Sequence, residues 1–148
     1  MAYSFAPEDT TVTAALRRIA EGELSGAMAR LERGADAGSQ IHGLRKHVKK
    51  LRGLIRLVRP HFKDYRKENA ALRDAARGIS ALRDAEVMLV TLARLEAAGA
   101  DPALIAPVRA GVAERGAAIP DQAAALAAFG AEMAALRDRA RLWRVKGD

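Results

Sequence analysis

Ten basic side chains fall between Ile41 and Lys67, and Asp64 is the only acid among them. They are Arg45, Lys46, Lys49, Lys50, Arg52, Arg56, Arg59, Lys63, Arg66 and Lys67, with His42 just ahead. The rest of the chain carries 15 basic and 17 acidic residues, so a near-neutral body bears one cationic element. Charge of one sign gathered in one segment selects anions, and guanidinium groups suit phosphate through paired, charge-assisted hydrogen bonds.

The spacing makes the segment a helix. At about 100° per residue, His42, Arg45, Lys49, Arg52, Arg56 and Arg59 share one stripe, which Lys46 and Lys50 widen. Ile41, Leu44, Val48, Leu51, Ile55 and Val58 form the neighbouring arc and read as the core face, while Leu54 and Leu57 lie outside it and call for a further contact. The stripe is about 25 Å long at ~1.5 Å per residue. Like charges at these spacings repel, so local helix stability does not account for them.

Five helical segments position this stripe: Glu8 to Arg33, Gln40 to Arg59, Asp64 to Ala98, Pro102 to Ala118 and Gln122 to Trp143. Gly22 and Gly26 weaken the first or admit a close neighbour. Gly34 to Gly38 reads as a loop with Ser39 as N-cap, Pro60 breaks the second segment, and Pro107 bends or delays the fourth. Asp101 and Asp121 stand at cap positions. On the third segment Arg66, Arg73 and Arg77 share a face with Ser80 and Asp84, and antiparallel packing would line one groove with both basic faces. Glu86 falls on the apolar face there, with Arg83 at its edge, and needs an arginine partner. The 148 residues show no alternating strand pattern, and abundant alanine favours helix, so the expectation is an all-α antiparallel bundle of four to five helices with a basic surface groove.

Catalytic companions are not evident. There is no cysteine, no glycine-rich phosphate loop, and no Ser/His/Asp set in a recognisable context. Glu21 and Glu23 point to opposite sides of a helix, and His42, His47 and His61 do not converge, so neither a metal nor a cofactor is expected. No window nears the ~18 apolar residues of a membrane span, and the N-terminus has no signal-peptide pattern, so a cytoplasmic location is expected.

The run Ile41-His-Gly-Leu-Arg-Lys-His-Val-Lys-Lys-Leu-Arg-Gly-Leu-Ile-Arg, followed by Leu72-Arg and Leu82-Arg-Asp-Ala-Glu-Val, resembles the CHAD domain, the conserved histidine α-helical domain. His42, Arg45, Lys49, Lys50, Arg52 and Arg56 match its first motif. Arg83, Asp84 and Val87 match the second, with Glu86 in place of the usual Asp. The resemblance implies a helical domain that binds inorganic polyphosphate on a basic surface and occurs with polyphosphate granules and their proteins. Members usually hold two related bundles, and this chain reads as a single domain over 1–148 resembling the N-terminal one: a half-length member, a piece of a longer chain, or a unit that a homodimer would complete.

The expected function is therefore binding of polyphosphate, without catalysis, by His42, Arg45, Lys46, Lys49, Lys50, Arg52, Arg56, Arg59, Arg73 and Arg77. Nucleic acid bound through its backbone is the main alternative. It is placed second because no aromatic lies between Ile41 and His61 to stack a base. An acidic protein partner is a third reading, and a membrane surface is set aside because the stripe borders no Trp or Phe anchor.

Overall fold

A computed structural model of the chain describes residues 4–34, 37–117 and 121–148, without the side chains of residues 37, 38, 82 and 86. Its elements are α1 (Val12–Arg33), α2 (Ala37–Leu57), a 3-10 turn (Arg59–His61), α3 (Tyr65–Ala97), α4 (Pro102–Ala117) and α5 (Gln122–Ala140), and no strand occurs among the described residues. The all-α reading holds.

Most boundaries follow local chemistry. Thr11 caps α1 by accepting from the Ala14 N–H at 3.0 Å. The helix starts four residues later than Glu8 because Asp9 closes a turn: its carboxylate accepts from the Ala6 N–H and takes two hydrogen bonds from Arg18. That guanidinium holds the Asp9 carboxyl at about 2. Asp101 and Asp121 cap α4 and α5 through Ala103 and Ala124 N–H groups, as their positions suggest.

Four expectations change. α2 is already helical at Ala37, so Ser39 lies inside it and is not its N-cap. The first turn is tied to the end of α1 instead, by Arg30 donating to the Ser39 carbonyl and buried Gln40 donating to the Leu31 carbonyl. α4 starts at Pro102 and runs through Pro107, so the proline does not delay its start; the missing N–H there removes one helical hydrogen bond. α5 stops at Ala140, and Trp143 is buried beyond it. Leu54 is buried, but Leu57, the last residue of α2, is exposed. Of the expected Gly34–Gly38 loop, residues 37 and 38 are helical and residues 35 and 36 lie outside the described residues, as do Pro120 and the side chain of Glu86, whose expected arginine partner is therefore not assigned.

The main core joins α1, α2, the first half of α3, α5 and the segment after it. α2 contributes Ile41, Leu44, Val48, Leu51, Leu54 and Ile55. Burying each is worth about 1.5–3 kcal/mol, against ~0.2–0.5 kcal/mol for each like-charge pair on the outer face, so packing decides the helix. A second, smaller cluster of Leu92, Ile105 and Val112 holds α4 to the far half of α3. These two segments form a hairpin arm beyond the bundle.

Two polar clusters lock the helices. Glu68 of α3, only 2% exposed, accepts both Arg139 Nε and Nη2 of α5 at 3.0–3.1 Å. Trp143 Nε1 adds a longer contact at 3.4 Å, and Arg139 also reaches Glu132. Between α1 and α2, Glu23 accepts from His47 Nδ1 and Lys50 Nζ, both at 2.7 Å. Gly26 makes room for this, since a Cβ there would come within 2.9 Å of the His47 ring; Gly22 has open space around it.

Glu68→Ala leaves Arg139 facing the core with Glu132 as its remaining partner. The expected loss is about 2–4 kcal/mol in urea denaturation, with Glu68→Gln less severe because it can still accept from Trp143. Burial pushes the Glu23 carboxyl up, but the hydrogen bonds from Lys50 and then His47 outweigh it and leave Glu23 below the ordinary 4.5. A depressed carboxylate gives stability that is complete above its unfolded value and lost as pH falls through its folded one. Thermal melts from neutral pH to below 4.5 should therefore show Glu23→Gln less stable near neutrality, with the gap closing in acid. A constant gap would disconnect Glu23 from the acid response.

Candidate anion-binding cleft

The core-facing arc of α2 turns its opposite stripe outward, and α3 packs against one edge of that stripe. Between them runs an open cleft of about 840 Å³. His42, Arg45, Lys46, Val48, Lys49, Arg52, Gly53 and Arg56 line it from α2, and Tyr65, Asn69, Ala76 and Arg83 from α3. Six of these side chains are permanent cations and none is an acid. From His42 to Arg56 the α2 wall measures about 21 Å at ~1.5 Å per residue.

The side chains are available rather than spent on one another. His42, Arg45, Lys46, Lys49, Arg52 and Arg56 are all exposed. Arg52 is steadied by donating through Nε to Asn69 Oδ1 at 2.9 Å, which sets the guanidinium plane between the two helices. No carboxylate neutralises that contact. In this setting Arg and Lys repel one another across the cleft, and an anion relieves the repulsion.

Four of the ten side chains named from the sequence lie elsewhere. Lys50 turns to the α1 side, where it pairs with Glu23. Arg59 lies past the end of α2 with its guanidinium 5.2 Å from the centre of the Tyr65 ring. Arg73 pairs with Asp74 on the surface, and Arg77 is exposed; neither lines the cleft. The reason is the rotation of α3. Burial of Glu68, Leu72 and Ile79 sets its inward face, and the stripe beside that face is Tyr65, Asn69, Ala76 and Arg83. Arg66, Arg73 and Arg77 fall further round, towards solvent.

Three polar cleft residues are not among those the sequence singles out for binding. Tyr65 and Asn69 carry no charge, and their signal is visible only as a 4–7–7 spacing with Ala76 and Arg83 once the buried face of α3 is known. Arg83 reads from the sequence as an edge residue of the apolar face and a match to the second CHAD motif. His47 has a defined place in the Glu23 cluster, and His61 is exposed, its carbonyl accepting from the Lys146 N–H at 2.8 Å. Among the described residues no three His, Asp or Glu side chains gather as a metal site, and no helix is long and apolar enough to cross a membrane.

Of the comparisons with known proteins, one gives a match. No curated protein and no solved structure matches the chain. The family model for the CHAD domain matches residues 12–147, which takes in every described helix from its first residue to its last. On that match, spanning nearly the whole chain, the protein belongs to the CHAD domain family.

Proposed function

We propose that the cleft between α2 and α3 binds inorganic polyphosphate, with no chemical step. The observation that carries this reading is a cleft about 21 Å long whose charged lining is entirely cationic. A linear polymer of phosphates offers a negative charge at every unit, so it can meet His42, Arg45, Lys46, Lys49, Arg52 and Arg56 in turn. Arg83 closes the cleft from α3. A single nucleotide's phosphates would leave most of that wall unused. The CHAD family is associated in general with polyphosphate binding, which supports the assignment. Retention near polyphosphate granules in the cytoplasm is the setting this reading implies.

His42 is the sixth residue of α2, one turn beyond the free N–H groups of the helix start, and its exposed imidazole can donate to a phosphate oxygen. The arginines supply bidentate contacts and the lysines point charges. No chemical step is part of this reading: among the described lining residues there is no acid to hold a divalent metal beside the phosphates.

Nucleic acid held by its backbone is the second reading, and Tyr65 is the observation that favours it. Its half-buried ring lies in the cleft wall, where a base could stack. Arg59 already covers that ring, however, and a single aromatic makes a poor platform for a strand.

The decisive experiment is binding of long-chain polyphosphate in competition with single-stranded RNA, duplex DNA and ATP at equal phosphate concentration. Polyphosphate should win; equal competition by RNA or DNA would move nucleic acid to first place. Raising salt from ~50 to ~200 mM should weaken binding about 10³-fold, as for other polyanion sites with six or more phosphate contacts. Arg52→Glu with Arg56→Glu should reduce affinity about 100-fold or more while circular dichroism stays unchanged, since each lost charged hydrogen bond is worth about 1.5–3 kcal/mol. Adjacent lysines should behave differently. Lys49→Met should lower affinity about tenfold, whereas Lys50→Met should leave affinity nearly unchanged and lower the melting temperature. Equal effects of the two on affinity would contradict the cleft boundary drawn here.

A further inference from the structure

We propose that the α3–α4 arm is a self-association surface, on which a second copy of this chain packs hairpin against hairpin about a twofold axis. Among the described residues the arm is held internally by three buried side chains, Leu92, Ile105 and Val112. Yet it leaves seven large apolar side chains exposed, and besides Val87, Leu89 and Val90 these are Met88, Leu95, Leu104 and Val108, between 46% and 72% exposed. These four are not scattered. α3 and α4 run antiparallel, as the Arg109–Glu96 pair and the Gly116–Ala85 approach show, so equivalent flanks of the two helices meet on one side. Met88 and Leu95 lie on that flank of α3, and Leu104 and Val108 on the same flank of α4.

The α4 seam says what covers it. Asp101, Leu104, Val108, Gly111 and Arg115 follow in steps of three, four, three and four, the spacing of one helix meeting another. The acid and the base stand seven residues to either side of Val108, and both are exposed. An antiparallel copy centred on Val108 therefore sets each Asp101 against the other copy's Arg115, and apolar side chains against apolar ones. That is the self-complementarity an isologous interface requires. Gly111 is the second pointer. A mid-helix glycine weakens its helix, and a Cβ there would meet nothing of the rest of this chain within 4 Å. It leaves the seam flat where a partner helix would cross.

The arm is about 24 Å long and two helices wide, which offers roughly 500 Å² per partner. Stable complexes usually bury ~800 Å² per partner, so the association should be weak and concentration-dependent. This inference is independent of what the cleft binds.

The test is sedimentation equilibrium of the full chain over a concentration series, without added anion. The expected result is a reversible monomer–dimer equilibrium that Val108→Glu shifts to monomer, with helicity by circular dichroism unchanged. Arg115→Asp should weaken the dimer, and adding Asp101→Arg to it should restore it by exchanging the two charges. Because Asp101 also caps α4, the double variant is compared at equal helicity. A monomer at every concentration overturns the proposal and leaves the seam to a different protein. A dimer indifferent to Val108→Glu, or a charge exchange that fails to restore association, overturns it as well.

Discussion

The structure depends on one constraint: α2 must bury one face completely while holding like charges along the other. Its isolated helix is disfavoured by the repulsion between Arg45, Lys49, Arg52 and Arg56 at three- and four-residue spacing. Tertiary packing overrides this, because Ile41, Leu44, Val48, Leu51, Leu54 and Ile55 lie in the main core. The same packing then aims the charged stripe outward. α1 and α3 flank the helix and are joined to it by Glu23 and Asn69 respectively. Core and cleft are two sides of one helix, so the residues that stabilise the fold also fix the direction of the cations.

The helical class, the five segments and the two faces of α2 were legible because each follows from periodicity within one segment. What escaped depends on how one helix is rotated against another. Glu68 shares a stripe with Leu72 and Ile79, so the sequence does carry its burial, but it is Arg139, 71 residues away, with Trp143 beside it, that makes that burial tolerable. Without Glu68 as a core residue the inward face of α3 is misjudged, which is why Arg73 and Arg77 were expected in the groove while Tyr65 and Asn69 were not. Lys50 was inseparable from Lys49 on a helical wheel. Only the position of Glu23 on a neighbouring helix distinguishes a cation facing a carboxylate from one facing open solvent.

The molecule has two levels of packing. The bundle is closed by a large apolar cluster and by the Glu68–Arg139 lock. The arm, by contrast, rests on a small cluster and on the Arg109–Glu96 pair. Local opening is cheapest where buried contacts are fewest, so the arm is the region of lower local stability. The cleft straddles this gradient. Its Arg56 and Tyr65 end belongs to the bundle, and its Arg83 end approaches the arm.

The segment after α5 closes the bundle in an unusual order. Asp148 accepts the Val12 and Thr13 N–H groups at the start of α1, Val145 donates to Thr13, and Arg17 donates to the Trp143 carbonyl. These contacts span 126 to 136 residues of sequence. The two walls of the cleft, in contrast, are consecutive helices joined by one 3-10 turn. A chain emerging from the ribosome can therefore pair α2 with α3 while residues 143–148 are still unmade. The cationic surface comes together early from local contacts, and the fold around it is sealed last.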